Sequence, residues 1–177
     1  FPQRVVNPPP WGRAPVGWER AARRAEELEM ARLYIGTSGF SYADWLGHFY
    51  PADLKKQDFI EYYSHRFNAL EINYTYYRLP SRRTMQSLVE RSEGRLRFAV
   101  KLTESFTHSR NAGTAEVDAF MEGISPLAES GMLGPLLAQF PFSFKPGVES
   151  RALIAEVVER FRPIPVVVEI RNSDWVS

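Results

Sequence analysis

From residue 33 onward, short runs of β-branched and aromatic residues alternate with segments whose apolar positions recur at helical spacing. The runs at 33–36, 69–74, 97–102, 133–140 and 165–170 predict five strands. Between them, 57–67 predicts a helix with Phe59, Ile60, Tyr63 and Phe67 on one side. Ser81 opens a second helix as its N-cap, with Met85, Leu88 and Val89 on a buried stripe. A third begins at Thr114 and Val117 and runs through Phe120, Met121 and Ile124, with a kink expected at Pro126 and a break at Gly131. Residues 148–161 predict a fourth. The last strand, PVVVEI, is almost wholly apolar before its glutamate, as expected of a strand covered on both faces.

Strands that alternate with helices imply right-handed parallel crossovers, and so either a doubly wound sheet or a β/α barrel. The barrel is preferred. After the first strand the chain reads Gly36-Thr37-Ser38-Gly39, which lacks the spacing of a dinucleotide-binding glycine fingerprint and leads into a long aromatic loop instead of a helix. Upstream, 1–17 is Pro-rich and reads as an extended tail. Residues 18–30 hold helix formers with a thin apolar stripe of Ala21, Ala22, Ala25 and Leu28. The expected organisation is therefore a tail and helical extension over 1–29, followed by an incomplete β/α barrel domain over 30–177.

Composition narrows the partners more than the fold. At 177 residues with 44% apolar content the chain suits one core. A net charge of +1 supplies no field to hold a polyanion, so nucleic acid is left open but unsupported. The absence of cysteine excludes disulfides, thiol catalysis and an iron–sulfur cluster ligated within the chain. No apolar run approaches the roughly 20 residues that span a bilayer, and no signal-peptide core stands at the N-terminus. The expectation is a cytoplasmic protein with no membrane partner.

In parallel α/β folds chemistry gathers at the carboxyl ends of the strands. Those positions are polar here: Thr37 and Ser38 after the first strand, Glu71 and Asn73 in the second, Lys101 in the third with His108 beyond it, Gln139 in the fourth, and Glu169, Arg171 and Asn172 in the fifth. Glu71 and Asn73 share one side of their strand, as do Glu169 and Arg171. A charge inside a buried strand must be paired or functional, so two readings stand: an ion network of Glu71 and Glu169 with Lys101 and Arg171 filling the mouth, or a catalytic set. Tyr42, Trp45, Phe49 and Tyr50 either wall a ligand or pack as a loop over one rim. Three histidines without paired spacing give no zinc helix, Ser38 lies outside a G-x-S-x-G elbow, and no cofactor is expected.

The segments IGTSGFSYADWLGHFYP, FNALEINYTYYRLPS, RFAVKLTESFTH, LLAQFPFSF and VVVEIRNSDW follow one another in this order. Together they resemble the YecE-like family, domain of unknown function 72, over about residues 33–175. The resemblance implies a TIM-type β/α barrel without an assigned reaction. The family's polar positions would fall on Gly36, Thr37, Ser38, Gly39, Tyr42, Trp45, Glu71, Asn73, Tyr77, Lys101, His108, Gln139, Glu169, Arg171, Asn172 and Trp175. Phe40 stands where the family usually has tryptophan, which removes an indole donor. Family members continue beyond the R-N-x-x-W segment, so the barrel is expected to be truncated after about five of its eight strands.

Two functions are compatible with these positions. In the first, an enzyme acts on a small polar or phosphorylated substrate, with Lys101 and Arg171 holding an anionic group and Glu71 or Glu169 transferring a proton. In the second, a non-catalytic module uses the same pocket for a ligand or a nucleic-acid end, with Tyr42, Trp45 and Tyr77 stacking on it.

Overall fold

A computed structural model describes residues 33–176. The Pro-rich tail and the helix expected over 18–30 lie outside the described residues. β1 (Gly36–Ser38), β2 (Ala69–Ile72), β3 (Arg97–Lys101), β4 (Leu133–Phe140) and β5 (Val166–Ile170) form one parallel sheet in the order β1-β2-β3-β4-β5. Helices α1 (Phe59–Ser64), α2 (Arg82–Ser92), α3 (Glu104–Thr107), α4 (Thr114–Glu129) and α5 (Val148–Arg160) occupy the crossovers. Neighbours in sequence are neighbours in space, so among the described residues the strand order never reverses and the sheet shows no switch-point crevice of the doubly wound kind. Among the described residues the sheet is open, with β1 and β5 at its edges.

Side-chain alternation divides the sheet into two faces. Leu70, Ile72, Phe98, Val100, Leu136, Ala138 and Phe140 are buried in one core with Met85, Phe120, Ile124, Leu127, Val157 and Phe161 of the helices. Each such large apolar side chain contributes roughly 1.5–3 kcal/mol by leaving water. Ser38, Glu71, Lys101, Gln139 and Glu169 therefore project from the other face. One irregularity decides that Gln139 is among them. Pairing of β3 with β4 passes from Phe98 opposite Leu133 to Val100 opposite Leu136, three residues against two. The extra residue falls where Pro135 has no N–H to give the ladder. Without that bulge, Gln139 would turn into the helix side.

Several elements differ in extent from expectation. β1 is Gly36–Ser38; just before it Ile35 N donates to Asn68 Oδ1 at 2.7 Å while Ile35 O accepts from Asn68 N and Ala69 N. Close approach then requires glycine, since a Cβ on Gly36 would stand 2.0 Å from Ala69 O. α1 is shorter than predicted, opening through a 3-10 turn at Lys56–Asp58. Ser81 has the extended conformation of an N-cap but makes no side-chain capping bond. α4 continues through Pro126 to Glu129. β5 is covered on its helix side, but Val167 is half exposed, so the two-sided cover expected of this strand is not met among the described residues. α3 was not predicted, since four residues, ESFT, carry too little period to register.

Candidate functional site

At the carboxyl ends of the strands the polar side chains form two hydrogen-bonded groups. On β1 and β2, Ser38 Oγ donates to Glu71 Oε1 at 2.7 Å, and Asn73 Nδ2 donates to Ser38 Oγ at 2.6 Å. Across β3, β4 and β5, Lys101 Nζ donates to Gln139 Oε1 at 2.8 Å, and Gln139 Nε2 donates to Glu169 Oε1 at 2.7 Å. Arg171 Nε reaches the same carboxylate oxygen at 3.2 Å. The chain leaves β2 at Asn73 in helical geometry and turns through Tyr74–Tyr76. Thr75 holds that turn to β3, its buried hydroxyl 2.6 Å from Lys101 O and 3.1 Å from Ile72 O.

The turn and the strand ends enclose an open cavity of about 430 Å³, walled by Tyr74, Tyr76 and Tyr77 on one side and by Lys101, Gln139 and Arg171 on the other, with Asn73 and His108 completing it. Lys101 Nζ lies 4.8 Å from the Tyr76 ring centroid. The His108 ring packs edge-on against the same ring at 5.0 Å, and its Nδ1 is 2.9 Å from Thr107 Oγ1. Among the described residues no carboxylate lines this cavity.

Burial pushes the Lys101 ammonium below the usual lysine range, with Glu71 pulling the other way and Arg171 adding repulsion. Burial likewise holds His108 below the ordinary histidine value, opposed by Glu104 and assisted by the charges of Lys101, Arg171 and Arg110. Tyr76 is raised by burial and by Glu104, so its phenol keeps its proton. Glu169 is lowered chiefly by the hydrogen bond from Gln139, then by Arg171 against the cost of burial. A carboxylate so well supplied with donors is a weak base, which suits Glu169 to positioning Gln139 and Arg171 better than to abstracting a proton.

The expected ion network is thus realised in part. Arg171 pairs with Glu169, whereas Lys101 makes no ion pair among the described residues and meets Glu169 only through the amide between them. Other expected residues are engaged elsewhere. Thr37 points to the helix side, bonded to Tyr63 through its N–H at 2.8 Å and its hydroxyl at 2.9 Å. Tyr42 donates to Ser38 O and borders a second, largely apolar cavity of about 230 Å³ with Phe40, Leu70 and Leu88. Trp45 belongs to an aromatic cluster with Tyr42, Phe49 and Tyr50, in which Tyr50 stacks on Phe59 at 4.1 Å, so this loop packs as a rim. Asn172 donates to Phe142 O at 2.7 Å, and Trp175 Nε1 donates to Phe144 O at 2.8 Å while its ring stacks on Phe144. Both tie the end of β5 to the loop after β4. Tyr76, in the run that follows the second strand, is a cavity wall, and Tyr74 is one that strand-end reasoning passes over. The aromatic run YTYY directly after a polar strand end was the available signal.

A family model described as a protein of unknown function, DUF72, matches residues 34–177. The chain belongs to the DUF72 family. Its similarity to a DUF72 protein of Thermotoga maritima of known structure is 35% identity with a TM-score of 0.71, over 81% of this chain and 57% of that one. A DUF72 protein from Enterococcus faecalis is similar at a TM-score of 0.69 and 23% identity, over 82% of this chain and 53% of that one, and bears on the fold alone. Among curated proteins, the UPF0759 protein YunF of Bacillus subtilis is 27% identical over 151 residues, which is 82% of this chain and 52% of YunF. The chain spans about half the length of the relatives it matches. No helix among the described residues is long and apolar enough to cross a membrane.

Proposed function

We propose that the carboxyl end of this sheet binds a small anionic molecule, phosphorylated or carboxylated, and carries out chemistry on it. The observation that carries this reading is the cavity whose charged lining is wholly cationic: Lys101 and Arg171, with His108 beside them and the neutral donors of Asn73 and Gln139 in reach. A guanidinium matches two anion oxygens at once, and a desolvated amine beside it strengthens the field in a partly enclosed space. Glu169 fixes the approach of both Arg171 and Gln139.

The sheet is read here as an arc of a β/α barrel, and the site as the mouth of that barrel. Support comes from register. Ser38 is level with Glu71, Lys101 lies two residues beyond Ala99, the partner of Glu71, and Gln139 lies two beyond Leu137, the partner of Lys101, with Glu169 level with it. The polar row therefore climbs four residues over the four steps from β1 to β5. One residue per strand is the stagger of an eight-stranded barrel with a shear of about 8.

Titration calorimetry with inorganic phosphate and a panel of phosphorylated and carboxylated metabolites tests the binding reading. Binding to one or more of them, weakened at least about tenfold in Arg171→Ala, is expected from the loss of a charge-assisted pair. Equal affinity in wild type and Arg171→Ala overturns it, as does binding to none. A second reading is favoured by Tyr77, which lines the same cavity and is 83% exposed, as a stacking platform for a base would be. Single-stranded oligonucleotide binding that falls with salt and is lost in Tyr77→Ala would support that reading over the first.

A further inference from the structure

We infer that Lys101 is a nucleophilic amine that condenses with the carbonyl group of a small anionic aldehyde or ketone, forming a Schiff base at the end of β3. This rests on the anion-binding reading and names the substrate class and the reacting atom. The geometry is that of a lysine with no directly bonded carboxylate among the described residues, Glu71 and Glu169 acting on it only at a distance. Lys101 is buried, its Nζ donates to a neutral amide oxygen and lies against a neutral ring, and Glu169, to which it is linked through that amide, is taken up by Gln139 and Arg171. A buried ammonium needs a counter-charge or must shed its proton, and a neighbouring guanidinium favours shedding. Burial and Arg171 lower its proton affinity and outweigh the opposing pull of Glu71 and Glu169. Residue choice points the same way. Only four of the 22 basic side chains are lysines, and Lys55, Lys56 and Lys145 are exposed. The one buried cationic position among the cavity walls carries the side chain that can become a free amine, in a chain that elsewhere prefers arginine, which cannot.

The step balances without a co-reactant. The Nζ lone pair bonds to the carbonyl carbon, whose π pair moves to oxygen, and that oxygen takes one proton lost by the nitrogen to give a carbinolamine. A further proton from solvent in the open cavity lets the hydroxyl leave as water, so amine, carbonyl and one proton become a protonated imine and water. Arg171 would hold the anionic end of the substrate, and Tyr76 and Gln139 would orient the nitrogen.

Glyoxylate, the smallest aldehyde that carries a carboxylate, is the probe, with cyanoborohydride to reduce the imine to a stable carboxymethyl adduct at neutral pH. Peptide mapping of the intact wild-type chain reports all four lysines at once, so no variant has to fold. The inference expects Lys101 to be modified faster than Lys55, Lys56 or Lys145, since a lowered proton affinity enlarges the free-amine fraction at neutral pH. Modification of Lys101 at the rate of the exposed lysines, or slower, overturns it. Inorganic phosphate, added as a competitor, separates the two claims. Fast labelling that phosphate leaves unchanged keeps the amine chemistry and removes the anion site, while phosphate binding without fast labelling keeps the site and removes the Schiff base.

Discussion

Replacing Gln139 with leucine isolates the amide that stands between Lys101 and Glu169. The two side chains have similar size, so the change removes polarity with little change of volume. Two hydrogen bonds are lost, at 2.8 Å from Lys101 Nζ and at 2.7 Å to Glu169 Oε1. The Glu169 side chain is 42% exposed, so water replaces its lost donor and that loss is worth about 0.5 kcal/mol or less. Lys101 is 9% exposed and loses its hydrogen-bond acceptor, which costs about 1.5–3 kcal/mol. The expected destabilisation is roughly 2–3 kcal/mol, or a fall in Tm of roughly 4–12 °C for a chain of this size. Urea unfolding at constant m-value measures it. Lys101→Met combined with Gln139→Leu should recover most of the loss, because both partners are then apolar. A single-mutant loss below about 0.5 kcal/mol, or a double mutant no better than the single, would mean that Lys101 is hydrated and refute the desolvated-lysine reasoning.

Gly36→Ala should destabilise the protein by about 1–3 kcal/mol or more, because the new methyl would stand 2.0 Å from Ala69 O in the β1–β2 pair; an unchanged melting midpoint would contradict the close approach. Tyr50→Phe removes the 2.6 Å bond from its hydroxyl to Phe40 O and should cost about 1 kcal/mol by chemical unfolding, with no effect on phosphate binding. His108 has its folded proton affinity lowered, so the unfolded chain binds the extra proton more readily between the folded value and the ordinary value of 6.5. Stability should therefore rise with pH through that window, and His108→Gln should flatten the rise. Glu169, lowered in the folded state, acts at the other end: its contribution is full above the ordinary value of 4.5 and lost as the pH falls through the folded value, a loss that Arg171→Ala should reduce. Acid unfolding curves that superimpose in wild type and Arg171→Ala would contradict the pairing.

Element type was legible along most of the chain because helical and strand periods are local properties. Phe120 and Ile124 recur at helical spacing and lie in the core, and the strand predicted over 133–140 is the β4 that forms. The polar strand ends were legible too, since a charge such as Lys101 or Glu169 in an apolar run announces itself. Which of those residues meet was not. Thr37 and Ser38 are adjacent in sequence yet face opposite sides of β1, and Asn172 and Trp175, polar or amphipathic beside β5, are engaged by carbonyls of a loop some thirty residues earlier. The sequence by itself determined five strand-forming segments, four of the helices between them and the chemical identity of the cavity's cations. The tertiary structure alone decided that Gln139 faces Lys101, because a single extra residue at the Pro135 bulge inverts every later side chain of β4. Such a phase is set by pairing with β3, a contact between segments far apart along the chain, and no local pattern of hydrophobicity records it.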